Sequence, residues 1–263
     1  MTSFRLAVVG GGNMGAALVG GLLRGGWSPA DIAVVEVLPG RVEQLRGMFP
    51  GVAVSTDIPP CSAAIIAVKP YDVATACAAA AAAGAKRVLS IAAGASVAAL
   101  QEAAGPDVAV VRSMPNTPAL VGKGAAGLCG GATATDDDLA WAEGILGSVG
   151  IAVRVPEAQL DAVTGLAGSG PAYLFMVAEA LTDAGVLAGL SRANAERLVT
   201  QLFVGSAALL EQEGNPAQLR ANVTSPGGTT AAGLRALEEH AVRSAMLEAV
   251  MAATARSREL GRH

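Results

Sequence analysis

The chain has 263 residues, 52% of them hydrophobic but only 3% aromatic, with 33 Gly and a mean hydropathy of +0.48; this is too apolar for a disordered chain and long enough for one large domain or a pair. Eighteen Lys and Arg against 22 Asp and Glu leave a formal charge of −4 without a basic stretch, which excludes a phosphate-tracking surface for nucleic acid. Cys61, Cys77 and Cys129 stand apart without CxxC or Cys/His clustering, so neither a disulfide framework nor a metal site is expected, and a reducing cytoplasm fits.

In chain order, Arg5 is followed by an apolar run over 6–23 that mimics a secretory signal but is interrupted by Gly residues and Asn13. Up to about residue 155, short Val- and Ile-rich runs alternate with longer Ala- and Leu-rich stretches, the pattern of parallel strands joined by crossover helices. Strands are predicted over 5–9, 32–36, 52–54, 64–68, 88–91, 108–112, 126–128 and 152–155, and helices over 14–24, 39–48, 73–83, 97–103 and 137–148. The Ala-rich stretch 73–85 is shorter than the roughly 20 strongly apolar residues of a membrane span, so no membrane partner is expected. After Pro156 the strand runs stop and helix-period segments follow over 171–188, 192–213, 216–223, 229–239 and 241–259. Ser191 and Asn215 stand as start signals, Gly189 and Gly214 as stops. The boundary is placed between 155 and 156.

Gly10, Gly12 and Gly15 form GxGxxG directly after the first predicted strand and at the start of the first helix. In that position the first glycine permits a tight turn, the second lets backbone N–H groups approach a pyrophosphate, and the third lets helix pack on strand. A glycine-rich turn of no ligand-binding purpose would read the same from spacing alone; the strand-turn-helix context selects a Rossmann-type dinucleotide site. The motif also accounts for the signal-like N-terminus. Glu36 ends the second predicted strand, where a carboxylate accepts from ribose hydroxyls and repels a 2′-phosphate, favouring NADH over NADPH; Arg41 nearby could accept that phosphate.

The usual bases for alcohol oxidation are missing. His240 follows directly on the predicted helix 229–239, between Glu239 and Ala241, and neither Tyr71 nor Tyr173 has a lysine four positions on. A cyclic imine needs no such base, because its nitrogen can arrive protonated and the iminium carbon is already electrophilic. The site then has to orient a carboxylate, donate one hydrogen bond at nitrogen and exclude water. The segment Ser225-Pro226-Gly227-Gly228-Thr229-Thr230 supplies N–H groups at a helix start with threonine hydroxyls beside them, although an ordinary capped helix start has the same look.

Together these segments resemble the pyrroline-5-carboxylate reductase family. The resemblance rests on Gly10-Gly11-Gly12-Asn13-Met14-Gly15, Ala67-Val68-Lys69-Pro70, Ser90-Ile91-Ala92-Ala93-Gly94, Arg112-Ser113-Met114-Pro115-Asn116-Thr117-Pro118, Gly168-Ser169-Gly170-Pro171-Ala172-Tyr173, and Leu219 through Ser225–Thr230 into Leu237-Glu238. It implies an α/β Rossmann-type N-terminal domain with a mostly parallel sheet over 1–155 and an all-α substrate-binding and dimerisation domain over 156–263. The implied activity is NAD(P)H-dependent reduction of 1-pyrroline-5-carboxylate to L-proline, the last step of proline biosynthesis.

By the same resemblance Gly10, Gly12, Asn13, Met14, Gly15, Ala67, Val68, Lys69, Pro70, Ala92 and Ala93 line the dinucleotide, with Asn116 near the nicotinamide, and Glu36 joins them by its strand-end position alone. Asn222, Ser225, Gly228 and Thr229 hold substrate, Thr230 donates to the ring nitrogen, and Glu213 supports that site. A cytoplasmic homodimer with intertwined C-terminal domains is implied, with dimers assembling into a decamer. Family members often prefer NADPH and carry a hydroxyl residue where Glu36 stands, which leaves NADPH or NADH open as cofactor. The competing readings are a β-hydroxyacid-dehydrogenase-like enzyme, which needs a lysine just after 168–170 where none occurs, and a non-catalytic nucleotide-sensing module.

Overall fold

The computed structural model describes residues 3–261. Chain contacts divide it into two compact units, residues 3–169 with 251–261, and residues 170–250.

The first unit is an eight-stranded sheet with helices on both faces. Its elements are β1 (Leu6–Val9), α1 (Asn13–Arg24), β2 (Ile32–Val35), α2 (Pro39–Met48), β3 (Ala53–Ser55), β4 (Ala63–Ile66), α3 (Val73–Ala82), β5 (Arg87–Ser90), α4 (Val97–Ala104), β6 (Ala109–Met114), β7 (Gly124–Gly130), α5 (Asp136–Gly147), β8 (Gly150–Arg154) and the short α6 (Leu160–Val163). The strand order is β3-β2-β1-β4-β5-β6-β7-β8, and every neighbouring pair is parallel except β6 with β7. That reversal has a local cause. Only nine residues separate Met114 from Gly124, and a single short 3-10 turn, Thr117–Val121, fills part of them, too little for the crossover a parallel pair needs.

The continuous apolar runs read from the sequence reflect burial on both sheet faces. Leu6, Val8, Ile32, Val34, Ile65 and Leu89 pack with Leu18, Val19 and Leu22 of α1, Leu45 of α2, and Ile145 and Leu146 of α5. Their strand neighbours Ala7, Val9, Val35, Ala64, Ile66 and Val88 face the other way, onto Val73, Ala76, Cys77 and Ala80 of α3 and Leu100 of α4. Small side chains on α3 suit this second layer, and each fully buried Leu, Ile or Val of either layer contributes on the order of 1.5–3 kcal/mol relative to exposure.

Residues 156–169 fold onto this unit rather than the helical one. Gly127 of β7 leaves room for α6: a Cβ there would stand 2.8 Å from Val163 Cγ2 and 3.2 Å from Leu160 Cδ2. The π-helical turn Thr164–Gly168 that follows accepts a hydrogen bond at the Ala167 carbonyl from Asn116 Nδ2 (2.9 Å). Residues 251–261 join the same unit, where Ser257 Oγ donates to Asp161 Oδ1 at 2.7 Å. The contact division therefore falls at 169/170, fourteen residues beyond the change in sequence character.

The second unit comprises α7 (Gly170–Leu187), α8 (Arg192–Glu213), α9 (Pro216–Asn222), α10 (Thr229–Glu239) and the first half of α11 (Val242–Leu260). The four residues Ala188–Ser191 join α7 to α8, and Ser191 Oγ caps α8 by accepting from the Asn194 N–H. Gly185 allows α7 to approach α8 closely, a Cβ there standing 3.2 Å from Ala195 Cβ. Of the described residues 170–250, only Thr182 and Ala195 are buried, while Leu174, Phe175, Met176, Leu198, Leu202 and Leu247 stay more than half exposed.

Candidate active site

The strand order turns back at β1 and β4, so the loops leaving their C-terminal ends diverge and open a crevice, the general ligand position of such sheets. Hydrogen bonds hold the crevice rim in register: Gly10 N–H donates to Val35 O (2.9 Å), Ala67 N–H to Val9 O (2.8 Å), and Ile91 N–H to Ile66 O (3.0 Å).

Gly10 has φ +109°, and a Cβ on it would run into the Ala67 carbonyl oxygen. A Cβ on Gly15 would in turn meet the Gly10 carbonyl oxygen, so the first turn of α1 sits directly on the loop it follows. Gly12 caps α1 without a side-chain bond, and the space where its Cβ would stand is open to at least 4 Å. Among the described residues the N–H groups of Gly12, Asn13, Met14 and Gly15 find no acceptor, the first helix-closing bond being Ala16 N–H to Gly12 O (2.9 Å). A row of free donors at a helix N-terminus, beside open space, fits a dinucleotide pyrophosphate.

Glu36 stands at the end of β2, half-buried. Its Oε1 accepts from the Val37 (2.8 Å) and Leu38 (3.0 Å) N–H groups, which aims the carboxylate back towards the glycine loop. Across the crevice, β4 ends at Ile66, two residues sooner than predicted, so Ala67 and Val68 leave the sheet for the rim, half-buried, with Lys69 and Pro70 exposed beyond them. Ala92 is buried and Ala93 exposed in the loop before α4.

Asn116 is 9% exposed, and the protein uses both ends of its amide: Oδ1 accepts from Ala125 N–H (2.8 Å) while Nδ2 donates to Ala167 O. It thus ties the end of β6 to β7 and to the π-helical turn.

One contributor escaped the sequence reading. Glu157 Oε1 accepts from the Val97 N–H at the start of α4 (2.7 Å) and from Arg112 Nη1 (2.9 Å), so one carboxylate fixes the helix behind the Ala92-Ala93 loop to β6. Sixty residues separate Glu157 from Val97, and no local spacing could have signalled the pair.

In the second unit, Ser225-Pro226-Gly227-Gly228 forms a hydrogen-bonded turn, Gly228 N–H to Ser225 O at 3.1 Å. Pro226 at its second position and Gly227 at φ +69° make it type II. Gly228 then caps α10 with no side-chain partner; a Cβ on it would collide with Ser225 Oγ. Among the described residues the N–H groups of Thr229, Thr230 and Ala231 find no acceptor before Ala232 N–H closes on Gly228 O (3.2 Å). Ser225 and Thr229 are exposed and Thr230 half-buried. A row of free N–H donors at a helix start, in a segment that also carries the hydroxyls of Ser225, Thr229 and Thr230, is suited to a small anion.

Asn222 lies exposed at the end of α9, its Oδ1 accepting from Gln218 Nε2 (2.8 Å). Glu213 is the last residue of α8, exposed and followed by Gly214 at φ +74°. A carboxylate at this negative helix end opposes the macrodipole, so helix stability does not account for it.

The three thiols offer no rival chemistry. All are buried, and burial raises each pKa, that of Cys77 and Cys129 to about 11, so they stay protonated at neutral pH.

A family model described as "Pyrroline-5-carboxylate reductase dimerisation" matches residues 157–260, and one described as "NADP oxidoreductase coenzyme F420-dependent" matches residues 5–94. The chain is 44% identical over 268 residues to a pyrroline-5-carboxylate reductase of Synechocystis sp., covering 99% of both, and 40% identical to that of Corynebacterium melassecola over 98% of this chain and 99% of the relative. Among solved structures, the Coxiella burnetii pyrroline-5-carboxylate reductase superposes with a TM-score of 0.92 at 33% identity, covering 98% of this chain and 99% of that one. The Plasmodium falciparum enzyme, solved with NADP bound, gives 0.81 at 29% identity over 99% of both chains. The match to a dimerisation domain supports oligomerisation, and no helix among the described residues is long and apolar enough to cross a membrane. The chain belongs to the pyrroline-5-carboxylate reductase family.

Proposed function

We propose that the chain reduces the C=N bond of 1-pyrroline-5-carboxylate to L-proline with a nicotinamide dinucleotide, closing proline biosynthesis in the cytoplasm. The observation that carries this reading is the cradle at Ser225–Thr230: free N–H groups at a helix start, flanked by neutral hydroxyl donors, suit a small carboxylate next to a nitrogen.

Bound NAD(P)H supplies the hydride. The N–H groups of Gly12, Asn13 and Met14 hold its pyrophosphate, with Gly10 and Gly15 shaping the turn. Ala67, Val68, Lys69, Pro70, Ala92 and Ala93 line its length, and Asn116 braces the nicotinamide end. Glu36 receives the ribose hydroxyls and repels a 2′-phosphate, which favours NADH. Ser225, Gly228 and Thr229 grip the substrate carboxylate, with Asn222 beside them. Thr230 Oγ1 donates to the ring nitrogen, and Glu213 supports the loop. No side chain has to remove a proton: the ring nitrogen is protonated before or during hydride transfer, and Thr230 Oγ1 donates to the lone pair it carries in the neutral imine and regains in the amine formed.

Residues 156–263 act as the substrate-binding and dimerisation domain, a reading supported by the family match over 157–260. Its exposed leucines call for a second copy, in an intertwined homodimer whose loops complete each other's sites, with dimers assembling further into a decamer.

Thr230→Ala tests the assignment: kcat/KM for the imine should fall about 10- to 100-fold while the dissociation constant of NADH stays within twofold. An unchanged kcat/KM would remove Thr230 from the mechanism.

A further inference from the structure

Gly11, one of the three residues that the GxGxxG motif leaves unspecified, is held on three sides. A Cβ on it would collide with Leu45 Cδ1 and stand 3.2 Å from Glu36 Oε2, and its carbonyl oxygen accepts from Arg41 Nε at 2.7 Å. Arg41 is the third residue of α2 and half-buried; its Nη1 donates to Gln44 Oε1 at 3.1 Å. A cation in the first turn of a helix opposes the macrodipole, so Arg41 weakens α2 where it stands, and its gain has to come from the bond to Gly11. Glu36 spends its hydrogen bonds on the Val37 and Leu38 backbone, Arg41 donates to the Gly11 carbonyl and to Gln44, and the two form no ion pair with each other among the described residues.

In a trans peptide the C=O and the following N–H point in opposite directions across one rigid plane, and the described chain has no cis bond. Fixing the Gly11 oxygen therefore fixes where the Gly12 N–H points. A charge-assisted bond to the oxygen also polarises the same peptide and strengthens its N–H as a donor. We propose that Arg41 is a positioning residue for the dinucleotide: by holding the Gly11 carbonyl it aims and polarises the Gly12 N–H towards the pyrophosphate. This assigns Arg41 to the part shared by NADH and NADPH, not to the 2′-phosphate, and it rests on the dinucleotide reading above.

The test uses the full chain with Arg41→Met, which keeps most of the apolar stem, and Arg41→Lys, which keeps a cationic donor. Dissociation constants for NADH and NADPH are measured by fluorescence titration, with kcat at saturating dinucleotide and the Tm of each variant alongside. Arg41→Met should raise both constants by the same factor, about tenfold, with kcat unchanged; Arg41→Lys should recover part of the loss. A loss confined to NADPH would make Arg41 a 2′-phosphate ligand and overturn the proposal, as would unchanged constants for both. If Arg41→Met lowers the Tm enough to unfold the protein, Arg41→Lys decides alone, an equal rise for both dinucleotides supporting the proposal and no rise refuting it. Wild-type protein that bound neither dinucleotide would remove the underlying reading itself.

Discussion

The two compact units solve the problem of apolar sequence in opposite ways. In the first, all four residues of β1 are buried, and the side chains on both faces of the central strands are covered by helices. In the second, helices just as rich in Ala and Leu leave Leu187 90% exposed, Leu247 70% and Phe175 65%. A unit of 81 residues whose buried residues are Thr182 and Ala195 has no core of its own to speak of, so its stability has to come from surfaces outside itself. The lesson is a division of labour. The crevice proposed for the dinucleotide stands on a self-sufficient scaffold, whereas the cradle proposed for the substrate carboxylate stands on helices whose exposed apolar residues we assign to assembly.

The largest effect should come from charging the unpartnered helices. Leu198 and Leu202 lie one turn apart on α8, both more than half exposed. Leu198→Asp with Leu202→Asp should turn the oligomer into monomer by light scattering and cut imine reduction by more than about 100-fold, since two unpaired carboxylates cannot be buried in an apolar interface. Dinucleotide binding by the first unit should survive. An oligomeric, active double variant would show that this face is a true surface.

The converse change removes core from the self-sufficient unit. Leu18→Ala, at a fully buried position of α1, should cost about 2–5 kcal/mol of stability by denaturant titration. That loss should not depend on protein concentration, whereas a loss on α8 should. The smallest effect is expected at Glu36. Glu36→Ser should raise the NADPH-to-NADH ratio of kcat/KM roughly tenfold by removing one repulsive charge, with no change in oligomeric state. An unchanged ratio would discard Glu36 as the discriminating group.

How much of this was legible depended on the range of the interaction. The central strands β1, β2, β4 and β5 could be read because burial on both faces writes continuous Val, Ile and Ala runs. The β6/β7 reversal left only a missing helix as its trace. The turn at Ser225–Gly228 was legible because Pro and Gly fix backbone angles locally. The bonds from Arg41 to Gly11 and from Glu157 to Val97, 30 and 60 residues apart, were not, because nothing near either partner distinguishes it from a surface charge. Nor could the sequence tell helices packed within one chain from helices awaiting a second, since both demand the same apolar spacing. Residues 156–169 lack strand runs and so read with the helical half; the absence of a side chain at Gly127, which makes room for them on the sheet, gives no such sign.

Following NADH absorbance at 340 nm with 1-pyrroline-5-carboxylate, while quantifying proline, addresses the central claim most directly. The account predicts one NADH consumed per proline formed, at a rate that Thr230→Ala lowers about 10- to 100-fold. Dinucleotide binding without any oxidation in the presence of the imine would contradict it.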